Sequence, residues 1–187
     1  MLYFTMAKSS MQDRQKAAKA IVTSLILTGS IYFTGYYVFP DKSVRFETMA
    51  DKLVFTLRWQ TFPVLTLMFG IIAVINKRIF TVAIDPIYGK GESFVAVEKQ
   101  YLQNTLEQLV LSISGQLVLS TYINDSLSRV VPTLVVLFVT GRILFWFGYR
   151  IHPSQRLVGF GLTFYPSVCV HIVNVYFFIH NGQWQYD

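Results

Sequence analysis

The sequence predicts an all-α integral membrane protein with five spanning helices, and three observations carry that expectation. Of 187 residues, 53% are hydrophobic and only 14% charged, where a soluble domain carries about 25% charged residues. Four runs are nearly free of charge: residues 20–39 and 157–179 hold no Lys, Arg, Asp or Glu, 53–75 hold only Arg58, and 130–149 only Arg142. Each reaches the roughly 20 residues a helix needs to cross about 30 Å of hydrocarbon. A fifth run, 100–123, is of similar length but carries Asn104 and Glu107.

Taken in order, residues 1–18 read as a polar, flexible cytoplasmic leader whose "YFTM" fits a tyrosine-type sorting signal. Residues 19–39 form the first helix. Its apolar run of about 20 residues exceeds the 7 to 15 of a signal-peptide core, so it is expected to be a retained anchor. Pro40 ends it, and "PDKSVRFETMADK" leads to the second helix. "NKRIFTVAIDPIYGKGES" is the longest connection, "YINDSLSRVVP" and "RIHPSQR" are tight turns, and 180–187 form a short tail. Asn124-Asp125-Ser126 is a formal glycosylation acceptor, placed so near two helix ends that its use is not expected. Trp59, Trp146 and Trp184 fall near helix ends and are expected to anchor the chain at the membrane interface.

Charge sets the expected orientation. The net charge is +6, but the basic residues are spread along the chain, which argues against a nucleic-acid partner. Lys8, Arg14, Lys16, Lys19, Lys77, Arg78, Lys90, Lys99, Arg142, Arg150 and Arg156 fall on one side of the five-helix topology, against Lys42, Arg45, Lys52, Arg58 and Arg129 on the other. That split of 11 to 5 places the N-terminus in the cytoplasm and the C-terminus in the lumen. Cys169 is the lone cysteine, so no intrachain disulfide can form, and the three histidines have no metal-ligand spacing.

The polar residues inside the membrane runs are the candidate site. Gln100, Asn104, Glu107 and Leu111 recur at the helical period and make one stripe. Arg142, Tyr149 and Arg156 are spaced by seven, and Pro153 places Arg156 at the start of the last helix. Both sets are expected at the same membrane face, where a carboxylate and an amide would meet guanidinium groups and a phenol. Two readings follow from the residues alone. One is a pocket for a small zwitterionic or anionic ligand. The other is structural glue, in which Arg142 pairs with Glu107 across helices. His171 and Asn174 are expected to be packing polars.

These residues carry a family resemblance. "NTLE" followed by "GRILFWFGYRIHPSQR" resembles the MAPEG family, the membrane-associated proteins of eicosanoid and glutathione metabolism. The likeness spans residues 53–179 and implies a four-helix MAPEG bundle preceded by one extra transmembrane helix. It implies homotrimers with glutathione bound between subunits. The family's glutathione residues fall on Asn104, Glu107, Arg142 and Tyr149, and the Arg that stabilises the thiolate falls on Arg156. Two positions depart: Gln100 stands where the enzymes have Arg, and Phe145 where they have Tyr. Both departures remove a glutathione contact. "DKLVFTLRW", "VLSTYI" and "GFGLTFYP" are similar to the mattrin branch of the family, five-helix proteins of the secretory pathway.

The resemblance therefore implies a regulatory membrane protein of endoplasmic reticulum, Golgi or lysosomal membranes, with a degenerate glutathione site. It would act in trafficking, lipid handling or receptor signalling, with membrane receptors as partners. The alternative is a membrane-bound glutathione transferase or peroxidase for lipophilic electrophiles, with Arg156 as its catalytic residue. A third reading is a scaffold whose arginines meet anionic lipid head groups.

Overall fold

A computed structural model of the chain describes residues 11–39, 46–85, 91–123, 126–151 and 155–180. The sorting signal at 3–6, the acceptor Asn124, Pro153 and Trp184 lie outside the described residues. Among those described there is no strand. The helices are α1 (Met11–Val38), α2 (Met49–Trp59), α3 (Thr61–Ile79), α4 (Ala96–Tyr122), α5 (Leu127–Ile151) and α6 (Arg156–His180). Two short 3-10 turns, Val82–Ile84 and Glu92–Val95, lie between α3 and α4.

α1 is helical from Met11, the first described residue and well before the apolar run, because "MQDRQKAAKA" is rich in good helix formers. α2 starts on a capping box. The Asp51 amide donates to Thr48 Oγ1 at 3.2 Å, and the Thr48 amide donates to the Asp51 carboxylate at 2.8 Å. The second spanning stretch, expected as one helix, is broken at Gln60 into α2 and α3. Pro63 explains the break: it has no N–H for the Trp59 carbonyl four residues back, and its ring crowds that carbonyl.

Among the described residues, four stretches are long and apolar enough to cross a membrane: Asp13–Val38, Met49–Ile79, Leu127–Ile151 and Arg156–His180. α4 has 27 residues, about 40 Å of helix, but its polar residues dilute the apolar character. It packs against α2, α3, α5 and α6, while α5 touches every other helix and is the centre of the bundle. The buried polar residues of α4, Glu98, Thr105, Gln108, Ser112, Gln116 and Ser120, run its length on the inward side. Gln116 links α4 to the α2–α3 break, where Gln60 Nε2 donates to its Oε1 at 2.9 Å, while its own Nε2 donates to Ser112 Oγ within α4 at 2.8 Å. Asn174 Nδ2 donates to the Gly115 carbonyl at 2.9 Å, and the His171 ring bonds the Leu111 carbonyl at 3.0 Å. Both are packing polars.

Small residues set the helix spacings. A Cβ on Gly159 would run into the backbone of Phe145 and Gly141, and one on Gly141 would lie 2.7 Å from Thr163 Cγ2. α5 and α6 therefore touch backbone to backbone, the close approach favoured where lipid supplies no hydrophobic drive. Gly161 receives Ser24 of α1, and Gly35 of α1 receives Thr133 of α5. α1 thus runs parallel to α6 and antiparallel to α5, on the outside of the bundle. The start of α1, the end of α3, the start of α4, the end of α5 and the start of α6 share one end.

Trp146 is a core residue rather than an interfacial anchor. It is 8% exposed and packs with Tyr101 and Phe145. Its position near a helix end suggested the interface, but α3 and α4 close over that part of α5.

Candidate functional site

The sequence-selected residues gather at the shared end of α4, α5 and α6, and the structure divides them into three groups. The innermost group centres on Arg142, whose side chain is wholly buried. Its Nη1 donates to Asn104 Oδ1 of α4 at 2.8 Å, and its Nη2 donates to Thr163 Oγ1 of α6 and, at 3.5 Å, to the Gly159 carbonyl. The guanidinium carbon lies 4.9 Å from the Phe145 ring centroid and 5.7 Å from that of Phe138. The Gly141–Gly159 contact makes this possible, since any wider α5–α6 spacing would carry Thr163 out of reach.

Arg142 does not pair with Glu107. Its partners are neutral, and Glu107 is exposed, accepting from Gln103 Nε2 at 2.9 Å on its own helix. The reason lies in helical geometry. From Asn104, a step of three residues to Glu107 turns about 60° one way, and a step of four to Gln108 turns about 40° the other. Asn104 sits at the edge of the interface, so Gln108 is buried and Glu107 is turned out.

The second group lies at the mouth. Arg156 opens α6 and places its guanidinium carbon 4.6 Å from the Tyr149 ring centroid. Tyr149 is half-buried and its ring lies 5.9 Å from that of Phe145. Along α5 the order from interior to mouth is therefore Arg142, Phe145, Tyr149, with Arg156 over the last. Phe145 is 3% exposed and separates the two guanidinium groups.

The third group is the outward side of α4: Gln100, Gln103 and Glu107, all exposed. These do not meet the mouth residues within one chain. Facing hydrocarbon, such a carboxylate would cost about 2.5–3.5 kcal/mol at a helix centre.

Sequence reading passed over Thr163 and Gly159, the α6 partners of Arg142. Thr163 lies seven residues after Arg156, two helical turns along, and that spacing could have pointed to it. It also passed over the Arg150–Glu98 ion pair, 2.9 Å long with the Glu98 side chain 4% exposed. Outside the spanning helices, Glu92 bridges Lys99 at 2.6 Å and Arg78 at 2.9 Å. The Lys99 hydrogen bond, and after it the Arg78 one, hold its carboxyl below the usual range.

The family comparison joins these groups. The MAPEG family model matches residues 57–176. The chain belongs to the MAPEG family. Transmembrane protein 79 of Mus musculus and that of Bos taurus are each 27% identical to it over 166 residues. That alignment covers 89% of this chain and 42% of each relative, so the chain spans about two fifths of their length. No solved structure matches significantly. The MAPEG match runs from α2 to α6, so α1 lies outside it, and every residue of the three groups lies inside it.

Proposed function

We propose that this MAPEG protein is a mattrin-like regulator of secretory or endolysosomal membranes, acting in trafficking, lipid handling or receptor signalling, with a degenerate glutathione site. The observation that carries the reading is the state of Arg142. Its two terminal nitrogens are engaged within the chain by Asn104 and Thr163, which spends on packing the donors that would hold a ligand and supports a site that has lost that role. Gln100 has no charge and Phe145 no hydroxyl, which removes two further contacts for a peptide anion.

Assembly as a homotrimer belongs to the same proposal. A neighbouring copy laid over Gln100, Gln103 and Glu107 would give the outward carboxylate a polar environment in place of lipid. The distribution of Lys and Arg supports a cytoplasmic N-terminus and a lumenal C-terminus.

One observation favours the alternative, a membrane glutathione transferase or peroxidase. Arg156 sits at the mouth on the Tyr149 ring, where a cation beside a bound thiol would lower its pKa. Titration calorimetry with glutathione on detergent-purified protein separates the two, with Arg156→Ala as control. The regulatory reading expects no binding up to several millimolar glutathione. Binding that disappears in Arg156→Ala would overturn it. Restoring both lost contacts, Gln100→Arg with Phe145→Tyr, is expected to create measurable affinity.

A further inference from the structure

A groove of about 530 Å³ opens between α3 and α5, away from the Arg142 cluster and from the outward face of α4. Trp59, Phe69, Ile143, Trp146 and Phe147 are among the side chains that line it, and it is almost wholly apolar. On α5 it extends from Val135 to Phe147, about 18 Å at 1.5 Å per residue. That is a little more than half of the roughly 30 Å hydrocarbon thickness, so the groove is one leaflet deep.

Its two ends differ. One closes at Trp59, by the Gln60 break. At the other, Phe69 is shared with a second hollow of about 480 Å³ whose lining includes Asn76, Lys77, Glu98 and Arg150. Arg150 bonds Glu98 at 2.9 Å and lies over the Trp146 ring at 4.1 Å. Lys77 has no carboxylate partner among the described residues. With Arg150 and Glu98 offsetting each other, the mouth keeps one positive charge among the described residues that line it. Phe80, on its rim, and Val82 and Ile84 after it are 83%, 66% and 68% exposed. Apolar side chains held outward beside cations are the pattern of a segment lying at the membrane interface.

We propose that the α3–α5 groove and the Lys77–Arg150 mouth together bind one anionic phospholipid, with an acyl chain in the groove and the phosphate at the mouth. The leaflet-deep length and the uncompensated charge at one end select this occupant over a second copy of the chain. The polar surface that a copy would need to cover, Gln100 to Glu107, is on a different face. The inference goes beyond the regulatory reading and is independent of whether glutathione binds.

Native mass spectrometry of the detergent-purified chain tests it, with palmitoyl-oleoyl phosphatidylserine compared against phosphatidylcholine of the same chains. The expected result is one retained phosphatidylserine per chain, preferred over phosphatidylcholine by about fivefold, the worth of one lysine near an anionic surface. Lys77→Ala should remove the preference. Ile143→Trp, at a half-exposed groove position, should abolish retention of both lipids, while Val175→Trp on the outer face of α6 should leave it unchanged. Equal retention of the two lipids, or no change in either groove variant, would overturn the proposal. So would efficient cross-linking of two chains through Phe147→Cys, which would make the groove an interface between copies. If Ile143→Trp lowers the melting temperature sharply, the Lys77→Ala preference decides alone.

Discussion

Asn104 and Glu107 are one helical turn apart on α4, both polar and both inside the span that matches the MAPEG family, yet they meet opposite surroundings. Asn104 takes a buried guanidinium through a 2.8 Å bond. Glu107 faces outward with only Gln103 of its own helix for company. The inward side of α4 is a line of buried polar residues, and from that side Glu98, Asn104 and Gln116 reach Arg150, Arg142 and Gln60, whereas the outward side has no side-chain partner from another helix of this chain among the described residues. A polar residue in a bundle helix thus carries two different meanings. Inside, it fixes how one chain packs. Outside, it calls for something beyond the chain.

The comparison breaks most completely if the inner side loses its spacing. Gly159→Val would drive a branched side chain into the Phe145 backbone, and overpacking of that kind costs about 1–3 kcal/mol or more. The expected cost is at the top of that range, with Arg142 separated from Thr163, and thermal unfolding in detergent would report it. An unfolding temperature equal to that of the unaltered protein would mean that α5 and α6 are not in backbone contact.

A paired substitution sharpens the contrast. Asn104→Leu leaves the buried Arg142 without its α4 partner and should cost about 1.5–3 kcal/mol, the range for a hydrogen bond to a charged group. Glu107→Leu should not destabilise the single chain, and its effect should instead appear in oligomer size by light scattering if a neighbour covers that face. Equal destabilisation by the two in a monomeric preparation would erase the distinction between the faces.

The smallest effect belongs to the loop at the end of the bundle. The Lys99 and Arg78 hydrogen bonds depress the Glu92 carboxyl pKa, so the folded loop binds that proton more weakly than the unfolded chain does. The bracket's contribution is therefore complete above the ordinary glutamate pKa of about 4.3 and fades as pH falls through the depressed folded value. Hydrogen exchange of the amides in 91–99 should accelerate below about pH 4, and Glu92→Gln should exchange at a rate that no longer depends on that titration. A Glu92→Gln loop that keeps the full pH dependence would assign the effect elsewhere.

The legible part of the molecule follows from two local properties. Charge-free runs of membrane-spanning length mark helices wherever they occur, because an unpaired backbone group has no partner in hydrocarbon. α5 and α6 were placed within a few residues on that ground alone. The Gln60 break was also within reach, since Pro63 stood in the run. The candidate site was legible as a list and not as an arrangement. Helical spacing brought Asn104 and Glu107 into one stripe, but where the edge of the buried face falls on that stripe is not a property of α4.

What the amino-acid sequence determines by itself is therefore the class of the protein, its apolar helices and its membership of the MAPEG family. The tertiary structure alone decides which polar residues are spent on each other. Arg142 finds Thr163 only because two glycines on different helices let the α5 and α6 backbones touch. Lys77 and Arg150, 73 positions apart in the chain, share a hollow only because α3 and α5 end on the same side. Such contacts depend on interhelical distance and rotation, and those are set by the whole bundle rather than by any one segment.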